Sequence, residues 1–245
     1  MANNNFIYGT RAVIEAVNSD KQIEKVMIVR SGDNPLQKEL LQILKKHRIY
    51  YQNVPLQKLN KITRKNHQGV IAFISPVPFY DAEEIVTQIY EEGKIPFILA
   101  LDGVTDVRNF GAIVRTAECS GVNAVIIQEK GSAAINADAV KTSAGALHKV
   151  PICKTRSLRE TLLHLKENGL QIISASEKAE KYYYETDFTK PTVLVTGSEE
   201  KGISNAMISL SDEFVKIPML GKINSLNVSV AASILMYETV RQRIN

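Results

Sequence analysis

The sequence predicts an α/β protein in two parts: a small basic α/β unit, then a larger α/β domain around a mostly parallel sheet. Three observations carry this expectation. From residue 96 onward, continuous apolar runs of strand length alternate with segments of helical period, the pattern of strands covered on both faces by helices. The segment SPVPF at 75–79 holds Pro76 and Pro78 and punctuates the chain. Charge divides at the same place. Residues 1–78 carry twelve Lys and Arg against five acids, residues 79–95 carry five acids against Lys94, and the remainder is nearly balanced. With 245 residues, 44% apolar and 23% charged, the chain can bury two cores, and disordered, collagen-like and fibrous classes are excluded. The expected division is a first domain at 1–78, a linker at 79–95 and a second domain at 96–245.

In the first unit, residues 7–17 read as a helix, EKVMIVR (24–30) as a strand and PLQKELLQILKKH (35–47) as a helix. Pro35 suits a first helical turn, and Leu36, Leu40, Ile43 and Leu44 form an apolar stripe. IYYQNV (49–54) and GVIAFIS (69–75) read as strands, and the acidic stretch up to Lys94 as a short linker helix. In the second part, strands are expected at 97–103, 123–129, 149–155, 170–176, 191–197 and 213–219. Helices are expected near 110–120, 137–147, 157–168 and 203–210, and a last one from about 227 to 243. Such a domain holds its ligand at the carboxyl ends of its strands.

Several common ligands of that fold class are excluded by their own requirements. A dinucleotide site needs G-x-G-x-x-G after the first strand, but in LDGVTDVRNFGAIVR (101–115) Gly103 and Gly111 stand too far apart. GSEEKGIS (197–204) has Gly197 and Gly202 at P-loop spacing, with Ile203 where lysine is required. Glu199 and Glu200 there repel phosphate and suit a cationic or neutral ligand better. The four histidines (47, 67, 148, 164) show no metal-ligand spacing, so no metal is expected. No G-x-S-x-G elbow occurs, and neither Cys119 nor Cys153 has an activating histidine nearby in sequence, so both are expected to pack in or beside the core. No apolar run approaches the roughly 20 residues of a membrane helix. The start, MANNNFIYGTRAV, lacks the pattern of a secretory signal, and two cysteines make no disulfide scaffold, so a reducing, cytoplasmic location is expected. The cluster Lys45, Lys46, Arg48, Lys58, Lys61, Arg64 and Lys65 is what a phosphate backbone attracts; charge alone equally allows a solvated basic face.

Three strand-to-loop junctions are rich in small and polar residues: NFGAIVRTA (109–117), VLVTGSEEKGIS (193–204) and IPMLGKINSLNVSVAASI (217–234). They present N-x-G-x-x-x-R through Asn109, Gly111 and Arg115, and G-x-E-x-x-G through Gly197, Glu199 and Gly202. The third reads IPM-x-G followed by SLNVSVA. In this order the three resemble the SpoU-type branch of the SPOUT RNA methyltransferases, specifically bacterial ribosomal RNA guanosine 2′-O-methyltransferases with an N-terminal RNA-binding domain. IYGTRAVIEAV (7–17) and HQGV (67–70) resemble the substrate-binding domain of that group, so the likeness spans nearly the whole chain. The chain departs from the pattern at 107–109, where VRN replaces a proline-containing sequence, and at Arg11, where histidine is common.

The resemblance implies a deep trefoil knot at the carboxyl end of the sheet, an exception to the rule against knots. It implies that S-adenosylmethionine is held there, with Thr196, Gly197, Ile217, Met219 and Leu226 carried over as cofactor contacts. Asn109, Arg115, Glu199, Ser225 and Asn227 are carried over as catalytic positions. A free arginine is a poor base, so Arg115 suits stabilising a developing alkoxide or gripping a phosphate; an i,i+3 pair with Glu118 is the structural alternative. Asn109 orients a loop or the ribose, or caps a helix. Glu199 positions Arg115, assists proton transfer, or is simply an acid at a helix start. Ser225 and Asn227 hold substrate, complete the knot, or cap the last helix. The expected function is 2′-O-methylation of a ribose in large-subunit ribosomal RNA, a part of ribosomal RNA processing, by a homodimer. Transfer RNA as substrate, and a catalytically silent RNA-binding assembly factor, are the alternatives. The last helix supports the dimer: Val228, Ala231 and Leu235 line one side and Leu226, Val230, Ile234 and Tyr237 another, too much apolar surface for one wet face.

Overall fold

The structure, a computed structural model, describes residues 6–19, 21–29, 34–47 and 49–244. The chain divides into two compact units, Met1–Pro78 with Ile135–Ala137, and Phe79–Ala134 with Asp138–Asn245.

The first unit contains β1 (Phe6–Tyr8), α1 (Thr10–Asn18), β2 (Ile23–Ile28), α2 (Pro35–Lys46), β3 (Tyr51–Asn53), α3 (Leu56–Ile62) and β4 (Val70–Ile74). Its sheet runs β1-β4-β2-β3, with β4 antiparallel to both neighbours and β2 parallel to β3. Residues 7–17, expected as one helix, open instead as an edge strand. Phe6 and Tyr8 pack on one face of the sheet and Ile7 on the other, and Gly9, at φ 91°, turns the chain into α1. Val13, Val17, Leu40 and Leu44 of α1 and α2 close over Val26, Ile28, Val70 and Ala72. The opposite face carries α3, which the sequence reading missed, through Leu59 against Met27 and Ile71. HQGV builds the turn into β4: Gln68 and Gly69 both take positive φ, and buried His67 accepts the Gly69 N–H on Nδ1 at 3.0 Å. Of the basic residues counted above, Arg30 and Arg48 lie outside the described residues.

The second unit contains β5 (Phe79–Tyr80), α4 (Ala82–Glu91), β6 (Phe97–Asp102), α5 (Val107–Cys119), β7 (Ala124–Gln128), α6 (Ala137–Thr142), β8 (Ile152–Thr155) and α7 (Leu158–Glu167). It continues through β9 (Gln171–Ala175), β10 (Lys181–Tyr182), β11 (Thr192–Gly197), α8 (Asn205–Ile208), β12 (Glu213–Lys216) and α9 (Val228–Arg243). The strands form one sheet, β10-β12-β9-β11-β6-β7-β8-β5, with every pairing parallel. Ile98, Ala100, Ile126, Ile172, Val193 and Val195 face α4, α7 and α8. The intervening Leu99, Leu101 and Leu194 point the other way, as pleating requires, and α9 packs against α5 and β11.

The expected linker at 79–95 belongs to this unit. Its first residues pair with β8, and Ala82, Val86 and Ile89 enter the main core. The Asp81 side chain caps α4 by accepting the N–H groups of Glu83 and Glu84, so the acids that suggested a linker are the cap and wet face of a packed helix. Other expected elements are shorter, the 203–210 helix spanning only Asn205–Ile208. The 137–147 helix gives way to a 3₁₀ turn at Ala146–His148, and the strand expected to reach 219 ends at Lys216. On α9 the buried stripe is Val228, Ala232, Leu235 and Met236, leaving Val230 and Tyr237 about half exposed. Cys119 is exposed rather than packed, whereas burial and the nearby Asp81 charge push the Cys153 thiol up to about 12. Among the described residues no helix is long and apolar enough to cross a membrane.

Candidate active site

The site grows from the carboxyl edge of β6 and β11, adjacent strands in the middle of the sheet whose last residues, Asp102 and Gly197, are in register. At Gly197 the chain folds back on itself so tightly that a Cβ would collide with the Gly202 carbonyl and the Ile203 nitrogen, and only glycine fits. The turn is closed by two bonds, Ser198 N–H to Gly202 O at 3.1 Å and Gly202 N–H to Ser198 O at 2.9 Å. It projects Glu199 outward.

Asn227 joins the three motif segments. It is the N-cap of α9, its Oδ1 accepting the Ser229 N–H at 2.9 Å. Its Nδ2 has two hydrogens and uses both, one to Asn109 Oδ1 at 3.0 Å and one in a short bond to Glu199 Oε1. The same Glu199 oxygen accepts the Val228 N–H at 3.3 Å. Glu199 is therefore an acid at a helix start, but the helix is α9, brought to it by tertiary structure. Asn109 is not a cap: Asp106 caps α5 by accepting the Asn109 N–H at 2.8 Å, which leaves the Asn109 amide side chain for Asn227. Gly111 serves packing, since a Cβ there would strike the Thr142 hydroxyl on α6. Ser233 Oγ donates to Thr116 Oγ1 at 3.1 Å and fastens α9 to α5 next to Arg115.

Two expected members stand outside this cluster. Arg115 is exposed on α5 with no ion pair or hydrogen bond among the described residues. Its alternative partner, Glu118, is engaged by Lys149 at 3.0 Å. Ser225 is exposed in the irregular stretch 217–227 and makes no hydrogen bond among the described residues; α9 starts only at Val228.

The five residues expected to hold a cofactor flank the same edge. Thr196 is 2% exposed, and its Oγ1 is a buried polar atom with no partner among the described residues. Such an atom costs stability unless a ligand satisfies it. The stretch 217–227 carries Met219 and Leu226 partly in water, with Leu220 and Ile223 still more exposed, while Ile217 is half-buried. An orphaned hydroxyl next to Gly197 in the chain, together with a loop of uncovered apolar side chains, fits a ligand with a polar and an aromatic part, which S-adenosylmethionine has. Asp102, Asp106, Ser229 and Ser233 were missed by the sequence reading. Asp106 had a signal, a helix-capping acid three residues before Asn109, and Asp102 had one too, a carboxylate ending the apolar strand FILALD.

The SpoU rRNA Methylase family matches residues 96–237, and the RNA 2′-O ribose methyltransferase substrate-binding family matches residues 6–80. A Staphylococcus saprophyticus protein assigned to the TrmH family of tRNA/rRNA methyltransferases is 37% identical over 237 residues, 97% of this chain and 95% of that protein. The SpoU methyltransferase AviRb from Streptomyces viridochromogenes, crystallised with AdoMet, matches with a TM-score of 0.61 at 26% identity over 98% of this chain and 90% of its own. The A. aeolicus TrmH/SpoU tRNA modifying enzyme is 36% identical with a TM-score of 0.56, covering 66% of this chain and 83% of that one.

Proposed function

The chain belongs to the SpoU rRNA methylase family, and from that membership we propose that it methylates a ribose 2′-hydroxyl, a guanosine's, in large-subunit ribosomal RNA. The observation that carries this reading is the meeting of Asn109, Glu199 and Asn227, drawn from three separate segments, at the carboxyl edge of the sheet. A chain that only bound RNA would have no use for that cluster together with an Arg115 that makes no ion pair among the described residues.

When bound, S-adenosylmethionine supplies an activated methyl group. Thr196, Gly197, Ile217, Met219 and Leu226 would hold it, the Thr196 hydroxyl being a buried donor with no partner among the described residues. The protein's remaining task is to orient the ribose and stabilise the oxygen as it loses its proton. Arg115, always cationic and with no ion pair among the described residues, suits the developing alkoxide and the adjacent phosphate. Glu199 is committed to Asn227 and Val228, so its part is to hold Asn227 and through it Asn109.

The basic first unit, which matches a substrate-binding family over 6–80, supports ribosomal RNA. Transfer RNA is the second reading, favoured by the 36% identity to a tRNA modifying enzyme. Family membership supports a knotted passage where the 217–227 stretch meets the 198–202 turn, the two joined by the Asn227–Glu199 hydrogen bond. The exposed apolar row Leu220, Ile223, Leu226, Val230 and Tyr237 supports a homodimer that covers it. Tritium transfer from labelled S-adenosylmethionine to purified ribosomal and transfer RNA, followed by mapping of the modified ribose, tests the reaction. Label only in transfer RNA would move the substrate, and label in neither RNA would overturn the reading. Sedimentation should give twice the chain mass at micromolar concentration.

A further inference from the structure

Asp102 ends β6 in the centre of the sheet, 7% exposed and in register with Gly197. Among the described residues it makes no ion pair, and its hydrogen bond is from the Ser204 N–H to Oδ2 at 2.6 Å. A carboxylate withdrawn from water with no counter-charge is costly, and a short bond from a fixed amide recovers only part of that cost. What the bond fixes is therefore informative. Ser204 closes the 198–203 turn and stands at the N-cap position of α8, with no capping bond from its side chain. The other end of that turn is fixed by Gly197 in the sheet and by the Ser198–Gly202 bridge. Between the two anchors stands Glu199, whose oxygen holds Asn227 and Val228, and Asn227 holds Asn109.

The geometry points to Asp102 as a positioning residue: its carboxylate pins the Ser204 amide, which sets the 198–203 turn and so decides where Glu199 meets Asn227. A mere cap for the four-residue α8 would have effects that stop at α8. A positioning residue reaches the start of α9, to which Asp102 makes no hydrogen bond or ion pair among the described residues. Its consequence for methyl transfer rests on the function proposed above; its structural content does not.

Amide hydrogen exchange on the full chain, without cofactor or RNA, separates these roles. In Asp102→Ala, exchange of the Ser204 amide should accelerate about tenfold or more and that of Val228 about fivefold, while Leu235 in the core of α9 is unchanged. Glu199→Ala should accelerate Val228 but not Ser204, and adding Asp102→Ala should change Val228 by less than about twofold more. Asp102→Asn, whose amide oxygen still accepts from Ser204, should restore part of the protection. Acceleration at Ser204 with Val228 unmoved, or equal acceleration at Leu235, would overturn the proposal. In single-turnover transfer, Asp102→Ala should cost about tenfold in the wild-type background and little in Glu199→Ala; multiplying losses would also overturn it. A wild-type protein that transfers no methyl would sink the function and leave the exchange result as the judge of Asp102.

Discussion

Arg115 stands on α5 with its guanidinium in water, and the carboxylate that would have given it a structural use, Glu118, is taken by Lys149. Arg115→Lys keeps the charge and removes the planar fork. Single-turnover methyl transfer by the folded, cofactor-saturated variant should fall about a hundredfold or more, with S-adenosylmethionine affinity within about twofold of wild type by calorimetry. Wild-type rates would return Arg115 to the surface. Gly197 makes the opposite kind of prediction. Gly197→Ala drives a Cβ into backbone that has no flexible end to give way, so denaturant titration should show a loss of about 1–3 kcal/mol. The cysteines differ in the same simple way: a maleimide at neutral pH should label Cys119 and leave Cys153, whose thiol burial pushes up to about 12, untouched until unfolding.

At the scale of elements, α9 is tied to the segment before β11 by a polar network. Gln242 donates to Thr186 O at 2.9 Å and accepts the Phe188 N–H at 2.8 Å, and its amide also reaches Glu238. Arg243 donates to the carbonyls of Phe188, Ile95, Pro96 and Lys190. Arg241 first, and Gln242 after it, hold the Glu238 carboxyl below its ordinary value of 4.5; Lys181, with Thr186, does the same for Glu213. A carboxyl lowered in the folded state contributes stability that is complete above its unfolded pKa and is lost as pH falls through the folded one. Between about pH 6 and about pH 3, the urea midpoint of wild type should therefore fall more than that of Glu238→Gln, which has no charge to lose. Parallel decline of the two proteins would remove Glu238 from the acid response.

For the whole molecule, the place of the boundary decides which fragment folds. A chain cut to 79–245 keeps β5 and α4 and should melt cooperatively, bind S-adenosylmethionine like the full chain, and lose most RNA affinity along with the +7 charge of residues 1–78. A cut at 96 strips Ala82, Val86 and Ile89 from the main core, a loss of about 3–6 kcal/mol at roughly 1–2 kcal/mol per buried side chain. That fragment should melt well below the longer one in a calorimetric scan. RNA affinity of the full chain should also fall steeply with salt, as phosphate contacts require.

The sequence by itself determined the α/β class, the basic first unit and the three segments that carry the site, because each is a local property: strand-length apolar runs, charge composition, and glycines and polar residues at fixed spacings. It also marked Gly197 and Gly202, whose turn is closed by Ser198 and Gly202, four apart in the chain. Other features were decided only by tertiary structure. Nothing local told that residues 79–91 would pair with β8 and fill the core, since an acidic amphipathic helix looks the same as a linker or as a layer. Nothing local told that Glu199 would meet the start of α9, or that the Asn109 side chain would meet Asn227. Those pairings join residues 28 to 118 positions apart, and only the parallel sheet, which gathers the carboxyl ends of β6, β11 and β12 along one edge, brings them within hydrogen-bond reach.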